Sequence, residues 1–177
     1  MDAPVEGAHK RRWLILIFHL PREPSRHRVA VWRRLKTLGA LYLQDGAATL
    51  PDEVFTREQL EWLQLRVREA GGEATLWEAL PNTVAENRVL VEEFLALREV
   101  AYRALIERAD RLGQKAAIGS GGKALLEDFA KLERDFRTER RRDYFKSPLR
   151  GVAYRAIRGA RSIVKENAGH AVREDAG

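Results

Sequence analysis

At Asn82 the chain changes period for good. Before it, short β-prone runs alternate with stretches of helical spacing, each bounded by Pro, Gly or an Asp-Gly pair; after it, apolar residues recur only at helical intervals. A chain divided in this way cannot spread one sheet over its whole length. It predicts an α+β protein: a sheet-bearing domain over 12–81, helices over 82–166, and flexible ends at 1–11 and 167–177, where no apolar pattern holds.

In the first part, Trp13–Phe18 (WLILIF) reads as a strand buried on both faces, ended by Pro21 and Pro24. Ser25 is placed to cap a helix that runs to about Leu38 and stops at Gly39, with Val29, Val31, Trp32, Leu35 and Leu38 on its apolar side. Asp45-Gly46 between two short β-prone runs predicts a hairpin, because a tight two-residue turn needs positive φ. Thr56 and Gln59 have capping-box spacing before Leu60, Leu63 and Val67, and Gly71-Gly72 ends that helix. Glu73–Ala79 completes the set. The order β-α-β-β-α-β predicts a ferredoxin-like antiparallel sheet with two helices on one face.

In the second part, Leu90, Phe94, Leu97, Ala101 and Ala104 predict one helical seam, in a helix ending near Leu112-Gly113. Leu125, Phe129, Leu132 and Phe136 predict another. Two such helices, each ~40 Å long at the helical rise per residue, pack most simply as a long antiparallel hairpin. Ser147-Pro148 opens a last, basic helix to about Lys165, with Arg150, Tyr154, Arg158, Arg161 and Lys165 along one stripe.

Charge is partitioned. The net charge is +6, yet residues 9–36 carry +8, residues 137–165 carry +8, and 37–136 between them carry −6. Interleaved signs mark solvated helix faces, and the middle has them. The flanks are instead Arg-rich, and guanidinium grips phosphate with a planar two-donor fork while releasing counterions. DNA is therefore the expected partner. Arg26, Arg33, Arg34 and Lys36 would hold phosphates at one surface, where a helix N-terminus adds its dipole, and Arg140, Arg141, Arg142, Arg150, Arg158 and Arg161 at another.

Other chemistries find little support. Cysteine is absent, which removes disulfides, thiolate metal sites and thiol redox chemistry. His9, His19, His27 and His170 are scattered without metal-ligand spacing, so no metal and no cofactor is expected. Gly119–Lys123 resembles a phosphate loop only in part: Ala117 stands where its first glycine belongs and Ala124 where its hydroxyl belongs. No nucleophile, base and orienting group fall together, and no catalytic residue is predicted. The four tryptophans read as core. The apolar run Trp13–Leu20 is too short for a signal sequence or a membrane span, so cytoplasm is the expected location, with no stable membrane insertion.

The stretches Trp13–Pro21, Pro24–Ala40 (PSRHRVAVWRRLKTLGA), Gln59–Leu63 and Ala70–Leu76 strongly resemble the N-terminal region of the ChrB family of chromate-resistance regulatory proteins. The similarity continues less specifically to Arg142–Phe145. More distantly, the first half is similar to the middle domain of PaaX-type repressors and to the small CRISPR adaptation nucleases. The resemblance implies a DNA-linked regulator of chromate-export genes and not a chromate reductase. Metal-dependent cleavage is not implied, because Phe18–Pro21 lacks the aspartate that the nucleases place after their first strand. Complete ChrB proteins carry a further C-terminal, chromate-responsive part. The resemblance thus implies a stand-alone module with a separately encoded chromate-sensing partner.

The expected function is a DNA-binding transcriptional regulatory module. The alternative is a non-enzymatic interaction scaffold that binds protein helices along the hairpin or forms a homodimer. A third reading takes the basic helix to an oxyanion or a membrane surface.

Overall fold

The computed structural model describes residues 11–119 and 122–174, with 165–174 as helix backbone. The expectations for His9, Lys10 and Ser120, for the side chains of Lys165 and His170, and for the extreme ends lie outside these residues. Two compact units make up the chain, Met1–Phe94 and Leu95–Gly177, and the division falls within one long helix. The class is α+β: a four-stranded antiparallel sheet with interleaved helices, then long helices that pack together.

The first unit contains β1 (Trp13–His19), α1 (Arg26–Leu38), β2 (Leu41–Gln44), β3 (Ala47–Pro51), α2 (Val54–Glu69) and β4 (Glu73–Ala79). The strands lie in the order β2-β3-β1-β4, antiparallel throughout. Leu14 and Leu16 sit opposite Leu50 and Ala48 in the β1–β3 ladder, and all four are buried. Over β1 and β4 lies α2, which buries Leu60, Leu63 and Val67 at helical spacing. Full burial of each such leucine or valine is worth about 1.5–3 kcal/mol, so this stripe seats the helix. At the β2–β3 turn Gly46 has φ +76°, and a Cβ there would stand 2.5 Å from the Phe18 carbonyl oxygen. Only glycine fits.

β1 is not buried on both faces along its length. Ile17 is 46% exposed and His19 is exposed, because α2 covers the face of Leu14 and Leu16 and leaves the far end of the other face open. Trp13 is the exception on that face. It stacks on Phe94 at 5.5 Å and donates from Nε1 to Asn87 Oδ1 at 3.0 Å, both on the first turns of α3 (Val84–Ala117). Trp13 is the one core tryptophan; Trp32, Trp62 and Trp77 are each about half exposed, against the expectation for all four.

Helix starts also differ from expectation. Ser25 makes no side-chain cap on α1; its own N–H donates to Glu23 Oε2 at 3.3 Å. Gly39 does close α1, with φ +73°. The first turn of α2 begins two residues before Thr56, whose Oγ1 accepts from the Glu53 N–H at 3.0 Å. At α3, Thr83 and Glu86 bond reciprocally, Thr83 N–H to Glu86 Oε2 at 2.9 Å and Glu86 N–H to Thr83 Oγ1 at 3.1 Å.

The second unit packs α3 with α4 (Gly122–Arg141) and α5 (Leu149–Glu174) around Tyr102, Leu105, Ala109 and Leu112 of α3, Leu125, Phe129, Leu132 and Phe136 of α4, and Ala153, Ile157, Ala160 and Val164 of α5. The α4 seam is the expected one. That of α3 is rotated: Arg98, Tyr102 and Leu105 are buried, whereas Leu97 is 45% exposed. Buried carboxylates on the facing chain make this possible, since Arg98 pairs with Glu139 and Tyr102 with Asp143. α3 also runs through Gly113 to Ala117, with Ala160 and Ile163 of α5 packed beside Gly113. At its other end α5 continues to Glu174, past the expected end near Lys165.

Candidate nucleic-acid interface

On α4, Arg137 and Arg140 are three residues apart; on α5, so are Arg158 and Arg161. Helical geometry puts each pair on one face, and the packing of α4 on α5 turns those faces toward a shared groove of about 480 Å³. Phe136, Tyr154 and Ile157 line it as well. Tyr154 is half exposed and lies 6.3 Å from the Phe136 ring, so the groove combines an aromatic surface with four guanidinium groups. Among the described residues, Arg161 alone of these four has a carboxylate in ion-pair range, Glu133 at 3.3 Å. The groove is therefore strongly cationic and able to take adjacent phosphate groups.

Three of the expected second-segment residues, Arg140, Arg158 and Arg161, meet here. The other three do not line the groove. Arg142 turns inward and binds Glu139, its Nε donating to Oε2 at 3.0 Å, in the same cluster as buried Arg98. Arg141 is exposed at the end of α4, and Arg150 is half-buried in the first turn of α5. Arg137, which joins the groove, carries the same i,i+3 signal as its neighbours.

The first-segment cations divide similarly. Arg33 and Arg34 line a cleft of about 740 Å³ between α1 and α2. Arg34 donates from Nη2 to Gln59 Oε1 and stands 6.0 Å from the Trp62 ring, with Arg66 at 4.9 Å from the same ring. Lys36 instead lies over Trp32 at 4.8 Å, and Arg26 is exposed in the first turn of α1, outside the cleft lining. With Glu23 already hydrogen-bonded beside the start of α1, the helix N-terminus holds a carboxylate where a phosphate was expected. No helix among the described residues is long and apolar enough to cross a membrane.

Residues 28–175, which carry the groove and all of the cleft lining except His27, match the family described as "Protein ChrB, N-terminal". The chain belongs to the ChrB N-terminal family. It is also similar to Protein ChrB of Cupriavidus metallidurans, 29% identical over 116 residues that make up 66% of this chain and 32% of that protein. The chain thus spans about a third of the length of the ChrB relative it matches. The family match begins at Arg28, and every groove arginine lies within the matched residues. No solved structure matches the chain.

Proposed function

We propose that this ChrB-family chain is a DNA-binding transcriptional regulatory module of the chromate-resistance type, which holds the phosphate backbone through the α4–α5 groove. The observation that carries the reading is the convergence of Arg137, Arg140, Arg158 and Arg161 on one cationic groove. These contacts position a duplex; they carry no base readout. The reading is non-enzymatic and invokes no cofactor. Its finer architecture is a ferredoxin-like sheet unit, supported by the order β2-β3-β1-β4, and an antiparallel hairpin of α3 and α4, supported by the pairs Arg98–Glu139 and Arg108–Asp135, with α5 as the basic helix.

The test is binding of a short fluorescent duplex across a salt series. Neutralising four phosphates gives a log–log slope of about −3.6. A flat response overturns the reading.

The second reading, an interaction scaffold, is favoured by Leu97 and Val100, one turn apart on α3 and 45% and 66% exposed. Chemical cross-linking in the absence of nucleic acid separates the two: a specific dimer insensitive to DNA supports the scaffold.

A further inference from the structure

The α1–α2 cleft has a different character from the α4–α5 groove. Its floor is apolar, formed by Ala30, Val31, Leu63 and Ala70, and half-exposed Trp62 stands as its wall. A phosphodiester backbone has nothing to place on such a floor. The rim, by contrast, is cationic. Arg33, Arg34 and Arg66 line it against one carboxylate, Glu69, which pairs with Arg66 at 3.3 Å. Arg34 has a neutral partner, the Gln59 amide, so its charge is uncompensated there. Its Nε is shut away from solvent and has no hydrogen-bond acceptor.

The volume, about 740 Å³, falls in the range of small-molecule sites. Guanidinium planes stack on aromatic rings and grip carboxylate or sulfonate oxygens, and here two of them already lie near one indole, 6.0 and 4.9 Å from its ring. We infer that the cleft between α1 and α2 is a binding site for a small aromatic organic anion, its ring packed on the apolar floor beside Trp62 and its anionic group held by Arg34 and Arg66. The occupant is chosen by charge complementarity: an apolar floor selects the ring, and the cationic rim selects the charge. A neutral aromatic leaves the Arg34 charge uncompensated, and an aliphatic anion forgoes the stacking.

The experiment titrates the full chain with 2-naphthoate, with 2-naphthamide as the neutral comparator and cyclohexanecarboxylate as the aliphatic one, by calorimetry and by the indole N–H signals of the tryptophans. The expected result is saturable binding of naphthoate, at least tenfold weaker for both comparators, with the largest shift at the Trp62 indole, which is assigned by Trp62→Phe. Trp62→Ala and Arg66→Gln each weaken naphthoate at least fivefold. Arg66 is exposed, and its replacement is expected to leave the melting temperature unchanged, which a thermal melt checks. Equal affinity for naphthoate and naphthamide, or binding unaffected by Trp62→Ala, overturns the inference. A Trp62 signal that responds to an oligonucleotide and not to naphthoate assigns the cleft to nucleic acid and overturns it as well.

Discussion

Arg98 Nη1 lies 2.6 Å from Glu139 Oε2, joining α3 to α4 across 41 residues of sequence, with the two side chains only 9% and 11% exposed. The pair is not isolated. Glu139 also accepts from Arg142, so one carboxylate serves two guanidinium groups, while Arg98 Nε has no acceptor. Burial is the main cause that lowers the Arg98 pKa, with the Glu139 charge opposing it.

The two partners are therefore unequal. Glu139→Gln removes the carboxylate that Arg98 and Arg142 share and is expected to cost about 3–5 kcal/mol, the range for breaking a buried pair. Arg98→Met keeps much of the volume, removes the unpaired Nε, and leaves Glu139 paired with Arg142; the expected loss is about 1 kcal/mol. Urea midpoints at unchanged slope measure both. Equal losses would contradict the shared-carboxylate arrangement.

Tyr102 is fully buried and donates from its hydroxyl to Asp143 Oδ2 at 3.0 Å, while Asp143 Oδ1 accepts the Ser147 N–H at 2.9 Å. Burial, then the Asp143 charge and hydrogen bond, push the Tyr102 pKa above its ordinary value of 10.0. A pKa raised in the folded state favours the protonated native form. This contribution is whole below the unfolded pKa and is lost as pH rises from about 10 toward the folded value. Tyr102→Phe should cost about 1.5–3 kcal/mol at neutral pH, the range for a hydrogen bond to a charged group. It should also flatten the decline in stability above pH ~10. Thermal melts between neutral pH and pH ~11 measure both effects.

Two glycines should respond in opposite directions. Gly113 lies inside α3, and a Cβ there meets Ile163 Cδ1 at 3.6 Å and Ala160 at 3.7 Å, ordinary contact distances. Gly113→Ala should stabilise by about 0.5–1 kcal/mol through helix propensity. Gly46→Ala combines φ +76° with a 2.5 Å approach to the Phe18 carbonyl, and should cost more than about 1–2 kcal/mol. Denaturation midpoints decide the signs.

Arginines of the second basic segment should separate by role. Arg140→Gln and Arg158→Gln are each expected to weaken duplex binding and to reduce the magnitude of the salt slope by about 0.9, with the melting temperature unchanged. Arg142→Gln should lower the melting temperature, because its side chain is bound to Glu139. A salt slope that all three variants reduce equally would mean that Arg142 also reaches phosphate.

Much of the architecture is legible in local pattern. Asp45-Gly46 announces its turn because φ > 0 is a property of the residue itself, and the α4 seam is readable because Leu125, Phe129, Leu132 and Phe136 are all apolar. The α3 seam is not, since Arg98 and Tyr102 look like solvent-facing residues until Glu139 and Asp143 arrive from 41 positions away. The reciprocal Thr83–Glu86 cap was present as a T-x-x-E spacing and is a signal the periodicity alone passes over.

The candidate site divides in the same way. Arg-rich composition at 137–165 and the i,i+3 spacing of Arg137–Arg140 and Arg158–Arg161 are properties of the sequence, because the helical repeat alone puts such residues on one face. Which face meets a neighbour is not. Helix packing decided that Arg140 opens into the groove while Arg142, two residues on, is drawn into a buried ion pair, and that Trp62 stands half exposed with two guanidinium groups near its ring. Local pattern specifies the elements, their order and the location of charge; helix packing selects which charges go to internal partners, because contacts between distant segments depend on a geometry that no local period records.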